Sequence, residues 1–212
     1  MVAPPAPCQR LAMQIPALFH EHHRSGFRRR FRHEATRSHQ VAIAVTRMRL
    51  STIDLSEEEL AGLTAIRLVL AELRAVELDA EAHALMARPR ARERLRRLEG
   101  LLDRDLVRVR VAPLAGWSPD FTVFSQGATP RGVLLGFHAF ELPHPFSGPA
   151  LGAHFGAAEA REALVRFEEI WARGHDVAPA IHSIFRRARR WVADPGLLHP
   201  APNPVDTLPA LG

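Results

Sequence analysis

Lysine is missing from all 212 residues; the 28 basic side chains are arginine without exception. That removes P-loop lysines, Schiff-base lysines and lysine clamps on phosphate from the chemistry open to the chain. Tyrosine is also absent. A codon bias accounts for both losses without restoring the chemistry. The single cysteine, Cys8, excludes an internal disulfide and any zinc site built on several thiolates, and it fits a reducing cytosol, the expected location. Long apolar runs are missing as well. No segment approaches the roughly 18 apolar residues of a membrane span. The opening MVAPPAPCQRLAMQIPALF lacks a basic start followed by a sustained apolar stretch, so neither a signal peptide nor a membrane helix is expected.

What is present is the composition of one soluble globular domain, with 47% hydrophobic and 24% charged residues, enough to bury a single core. Against 23 acidic residues the net charge is +5. The isoelectric point near 11.1 follows from the very high pKa of arginine and by itself says little about nucleic acid.

Residues 1–23 read as an irregular, proline-rich lead-in in which Leu11, Ile15, Leu18 and Phe19 could form one amphipathic turn. The basic cluster RSGFRRRFR (24–32) follows, then a buried strand in VAIAVT, where Val41, Ile43 and Val45 alternate with small residues. Ser56 and Glu59 form a capping-box pattern that starts a helix. The next stretch, AIRLVLAEL, fits a strand through Ile66, Leu68 and Leu70 and equally a continued helix through Leu63, Ile66 and Leu70.

After Pro89, Leu95, Leu98, Leu101 and Leu102 share one helical face. LVRVRVAP alternates Val107, Val109 and Val111 with Arg108 and Arg110 as a half-exposed strand. FTVFS and GVLLGFHAF, separated by QGATPR, predict a hairpin, and LGAHF a short strand. AAEAREALVRFEEIWARG is a strong amphipathic helix with Leu164, Phe167, Ile170 and Trp171 inward and Gly174 at its end. A basic amphipathic helix is expected over 176–193, with Ile181, Ile184, Phe185, Ala188 and Trp191 inward, and a disordered tail over 194–212. The element mixture predicts an α/β fold with a mixed sheet flanked by helices.

From VRVRVAP through FTVFSQG and VLLGFHAF to AREALVRFEEIW, the chain resembles one half of a phospholipase D-type phosphodiesterase fold. The resemblance spans about residues 24–175 and rests on element order and on the closing Phe167-to-Trp171 pattern. VAIAVT matches the family's first strand and AIRLVL its second, so the resemblance implies that AIRLVL is a strand. It also implies where the family's H-x-K-x4-D motif would fall. Ser118 stands in place of the histidine, Asp120 of the lysine and Ser125 of the aspartate. Gly136 matches the family's glycine-serine element, but Phe137 replaces the serine.

The family's phosphohistidine chemistry needs an imidazole nucleophile and a cation on the phosphoryl oxygens. Serine without a base is no substitute, and Asp120 would repel phosphate. The resemblance therefore implies a silent relative, a cytosolic binding or regulatory module for a phosphorylated ligand, nucleic acid or a protein partner. Ligand-sensing roles are known among silent relatives of the superfamily. One half-unit per chain favours a homodimer, because active members join two; the alternative to a dimer is a monomer that covers the same surface with its terminal extensions. The alternative is a phosphodiesterase or nuclease with a rebuilt site in which His138 and His154 converge with Asp120.

Two arginine runs can grip phosphates. Arg28, Arg29, Arg30 and Arg32 lie beside Phe27 and Phe31, which could stack on bases. The Arg186–Arg190 run lies on an amphipathic helix and reads as a solvated face balanced by acids elsewhere. The 12 histidines lack metal-ligand spacing: His20, His22 and His23 sit together in the lead-in, and His138, His144 and His154 are spread over hairpin and loop. No metal or cofactor is expected. The apolar loop of Phe140, Pro143, Pro145 and Phe146 either lines a pocket or caps the hairpin.

Overall fold

The computed structural model describes residues 17–21, 25–46, 48–50, 56–112, 121–136 and 150–193, with side chains over 29–46, 48–50, 56–112, 121–135 and 153–191. Val41, Ile43 and Val45 and the alanines between them form β2 (Gln40–Val45), whose two faces serve two different cores. The branched residues join one apolar cluster, and Ala42 and Ala44 the other. Small residues on the second face let a helix approach closely, and alternation along the strand makes the separation.

Around β2 an eight-stranded sheet is built. Its strands are β1 (Ala17–Glu21), β3 (Ala65–Leu70), β4 (Val107–Val111), β5 (Phe121–Gln126), β6 (Thr129–Gly136), β7 (Ala150–Phe155) and β8 (His175–Asp176), in the order β1-β7-β6-β5-β2-β3-β4-β8. The β2, β3 and β4 strands are mutually parallel, and every other pairing is antiparallel. This is the mixed α/β sheet expected from the sequence.

Helices cover both faces. On the first lie α1 (Ser25–Ala35), α3 (Ala75–Met86), α4 (Pro89–Asp103) and α6 (Ala178–Ala193). Their apolar residues, among them Phe31, Met86, Leu98 and Phe185, pack on Ile43, Leu68, Val109 and Phe124. The one-turn α2 (Glu57–Leu60) contributes Leu60 to the same side. On the second face α5 (Ala157–Arg173) sets Phe167 and Ile170 against Ala42, Ala44 and Val123.

Several expectations need correction. Five residues of the lead-in thought irregular form β1, which pairs with β7. An edge strand of this kind is specified by its neighbour's free hydrogen-bonding groups more than by its own pattern. The α3 helix was not foreseen, because its buried stripe of Leu78, Ala82 and Met86 includes an alanine that does not register as strongly apolar. The two-residue β8, bonded to Arg110 and Val111, was likewise unforeseen.

The helix begun at Ser56 has the full capping box, with Glu59 Oε2 accepting from the Ser56 N–H at 2.6 Å, but ends within a turn. AIRLVL is a strand held on both sides, by β2 and by β4. The hairpin strands run into QGATPR, leaving a tight turn at Gly127, whose φ of 60° favours glycine. A bulge after Phe124 follows from the register, since Phe124 faces Gly132 and Ser125 faces Pro130. Arg131 is the extra residue, and the irregularity sits next to a proline that cannot donate to the ladder. Phe137 to Phe140 lie outside the described residues.

Candidate functional site

Helix α1 carries its arginines on several sides, as consecutive residues of a helix must. Phe31 points inward and meets Phe124 edge-on, with ring centroids 5.5 Å apart. Arg30 reaches across the same face to β7. Its Nη2 lies 2.8 Å from His154 Nδ1, 3.2 Å from His154 Nε2 and 3.0 Å from Glu34 Oε1. His154 Nε2 is 3.5 Å from Glu34 Oε1. A guanidinium has no acceptor atom, so the imidazole must accept from it.

The packing beneath this cluster is tight. A β-carbon on Gly132 of β6 would lie 2.8 Å from His154 Nε2, so the missing side chain makes room for the imidazole. The His154 pKa is lowered from the usual histidine value, first by burial, then by the positive charge of Arg30. Glu34 opposes the shift, and His33 adds to it. A neutral imidazole that already accepts from an arginine is a poor general base. What the cluster does is tie α1 to β7. Arg30 Nε is itself buried and has no hydrogen-bond partner among the described residues.

The remaining sequence candidates fall as follows. Arg32 lies with its Nε 3.6 Å from Glu59 Oε1, and Arg29 is exposed. Arg28 belongs to α1, but its side chain lies outside the described ones. Ser125 is buried on β5, and its carbonyl oxygen accepts from the His39 N–H at 2.8 Å. Gly136 closes β6 opposite Gly152. Ser118, Asp120, His138 and His144 lie outside the described residues, as does the loop from Phe140 to Phe146. Among the described residues no group of three potential ligands could hold a metal ion, and no helix is long and apolar enough to cross a membrane.

The second arginine run divides into two kinds. Arg187 Nε donates to Asp79 of α3 at 2.9 Å, and Arg189 Nη1 to Glu99 of α4 at 2.6 Å. Beside them, His182 faces Asp103 of α4 at 3.7 Å, and Trp191 stacks on His83 of α3 at 5.4 Å. The acidic balance expected for this run therefore holds at Arg187 and Arg189. Arg186 and Arg190 are exposed, and no acidic partner reaches them among the described residues.

One constellation escaped sequence reading. Arg67 of β3 donates twice to Glu168 of α5, at 2.9 and 2.7 Å, and its guanidinium lies 5.1 Å from the Phe167 ring centroid and 5.6 Å from that of Trp171. Arg110 of β4 covers Trp171 at 4.6 Å and donates to its carbonyl oxygen. These contacts dock α5 through bidentate and cation–π interactions. The alternation in AIRLVL and VRVRV put both arginines on the α5 face, but nothing in the sequence showed that the aromatics would meet them.

No protein-family model matches the chain. No curated protein matches it. Among solved structures it is similar to TrmBL2, an archaeal chromatin protein described as showing a novel mode of DNA binding, with 9% identity and a TM-score of 0.45 over 79% of this chain and 57% of that one. The chain thus spans little more than half the length of TrmBL2. It is also similar to Nuc, a phospholipase D family member from Salmonella typhimurium, with 10% identity and a TM-score of 0.49 over 76% of this chain and 97% of that one.

Proposed function

We propose that the chain is a non-catalytic, phospholipase D-like module that binds nucleic acid. The framework is supported by element order: parallel β2, β3 and β4, the β5–β6 hairpin, β7, and a closing helix that carries Phe167 and Trp171. In this reading one half-unit per chain assembles as a homodimer. The non-catalytic part is supported by His154, whose imidazole accepts from Arg30 and is held neutral.

The observation that carries the binding is where the cations stand. Helices α1 and α6 each carry four arginines and pack on the same face of the sheet; Arg30, Arg32, Arg187 and Arg189 meet Glu34, Glu59, Asp79 and Glu99, while Arg29, Arg186 and Arg190 are exposed. Guanidinium groups on one side of a domain, all permanently charged, suit a ligand that presents many phosphates, because each phosphate neutralised releases counterions.

The test pairs a binding measurement with a turnover measurement on the full chain. Fluorescence anisotropy with a labelled DNA duplex should show affinity that falls steeply as salt rises, by about 0.9 in log K per log salt for each phosphate contacted. Bis(4-nitrophenyl) phosphate should not be hydrolysed. Turnover abolished by H138A would overturn the non-catalytic assignment, and absence of duplex binding at low salt would overturn the nucleic-acid assignment.

A further inference from the structure

We infer that the outer face of α6, through Arg186 and Arg190, is the surface that contacts the phosphate backbone. The inference rests on the nucleic-acid reading above and says where on the molecule it acts. The inward side of α6 is fixed by Ile181, Ile184, Phe185 and Ala188, all buried. One flank belongs to α3, through Arg187 with Asp79 and Trp191 with His83. The other belongs to α4, through Arg189 with Glu99 and His182 with Asp103. At 3.6 residues per turn the direction left over, away from the core and between the flanks, is that of Arg186 and Arg190.

Those two arginines stand one turn apart, about 6 Å along the axis. A nucleic-acid strand advances about 3.4 Å along the duplex axis per phosphate, so the pair matches phosphates two steps apart. The first arginine cluster is less suited to the task. Arg30 is engaged by Glu34 and His154, and Arg32 lies against Glu59. Beside α6 the acids that could compete, Asp79 of α3 and Glu99 of α4, are engaged by Arg187 and Arg189. Ligand phosphates therefore need not displace an internal carboxylate to reach Arg186 and Arg190. Contact with phosphate alone implies binding without sequence preference.

The test compares R186Q/R190Q with R161Q/R173Q, which removes the same charge from exposed positions of α5 on the opposite face. Both variants should unfold at the temperature of the unaltered chain. In duplex anisotropy titrations across salt, R186Q/R190Q should bind about tenfold or more weakly near 0.1 M salt and show a salt slope shallower by about 1.8. R161Q/R173Q should change little, and randomised duplex sequences should bind alike. Equal losses in the two variants would assign the effect to net charge and overturn the inference. A native affinity and slope in R186Q/R190Q would overturn it while leaving the nucleic-acid reading in place. An unaltered chain that does not bind duplex would overturn both.

Discussion

A β-carbon built on Gly132 would come within 2.8 Å of His154 Nε2 and 3.3 Å of the Phe155 carbonyl oxygen, so one residue's lack of a side chain and another's half-buried ring are a single arrangement. Gly132→Ala should destabilise the chain by about 1–3 kcal/mol, the usual cost of overpacking. In an H154A background the same substitution should cost clearly less, because the closest clash is gone. Urea unfolding of the four chains checks this, and strictly additive effects would mean that the backbone contact dominates. The ring also sets a pH dependence. The native His154 pKa lies below the ordinary histidine value of 6.5, with Arg30, Glu34 and His33 as the facing charges. As pH falls below about 6.5 the unfolded chain takes up this proton before the native one, so stability declines through that window. Above it the residue contributes no slope. H154Q should flatten the decline between pH 7 and 5 in denaturation midpoints, whereas a profile parallel to that of the unaltered chain would remove His154 as its source.

Elements were legible where their own residues carried the period. Strand β2 alternates large and small, β4 alternates valine and arginine, and α4 and α5 put leucines or aromatics on one stripe. Elements defined by what lies next to them were not legible. AIRLVL satisfies both a helical and an extended period, and only its pairing with β2 and β4 selects the strand. The β1 and β8 strands exist through bonds to β7 and β4, and α3 buries an alanine where a stronger signal needs a leucine. The same divide runs through the candidate site. His154 was legible as a candidate, in the company of His138 and Asp120. The polar partners described for it are Arg30 and Glu34, with Arg30 124 positions away in the chain. Contacts set by sheet order and helix docking leave no periodic trace. The division of the α6 arginines into paired and unpaired was legible in part, because helical period separates flank from outer face, whereas the acids on the flanks come from α3 and α4.

At the scale of the whole molecule, stability should be graded from the middle of the sheet outwards. Strand β2 lies between β3 and β5, and its two faces are covered by different helices, with Val41 and Ala44 almost inaccessible. Opening its hydrogen bonds means opening both cores at once, so its amides should exchange only through global unfolding. The sheet ends in β1 on one side and in the two-residue β8 on the other, where each strand has one neighbour among the described elements and local opening exposes little apolar surface. Hydrogen exchange followed by mass spectrometry should therefore show the slowest exchange in peptides spanning β2, β3 and β5 and the fastest in those spanning β1 and β8. The β1 peptide is the informative one. Protection there equal to β2, falling as the protein is diluted, would mean that the β1 edge is covered by a second copy of the chain. Protection that is low at every concentration would place any dimer contact elsewhere on the surface.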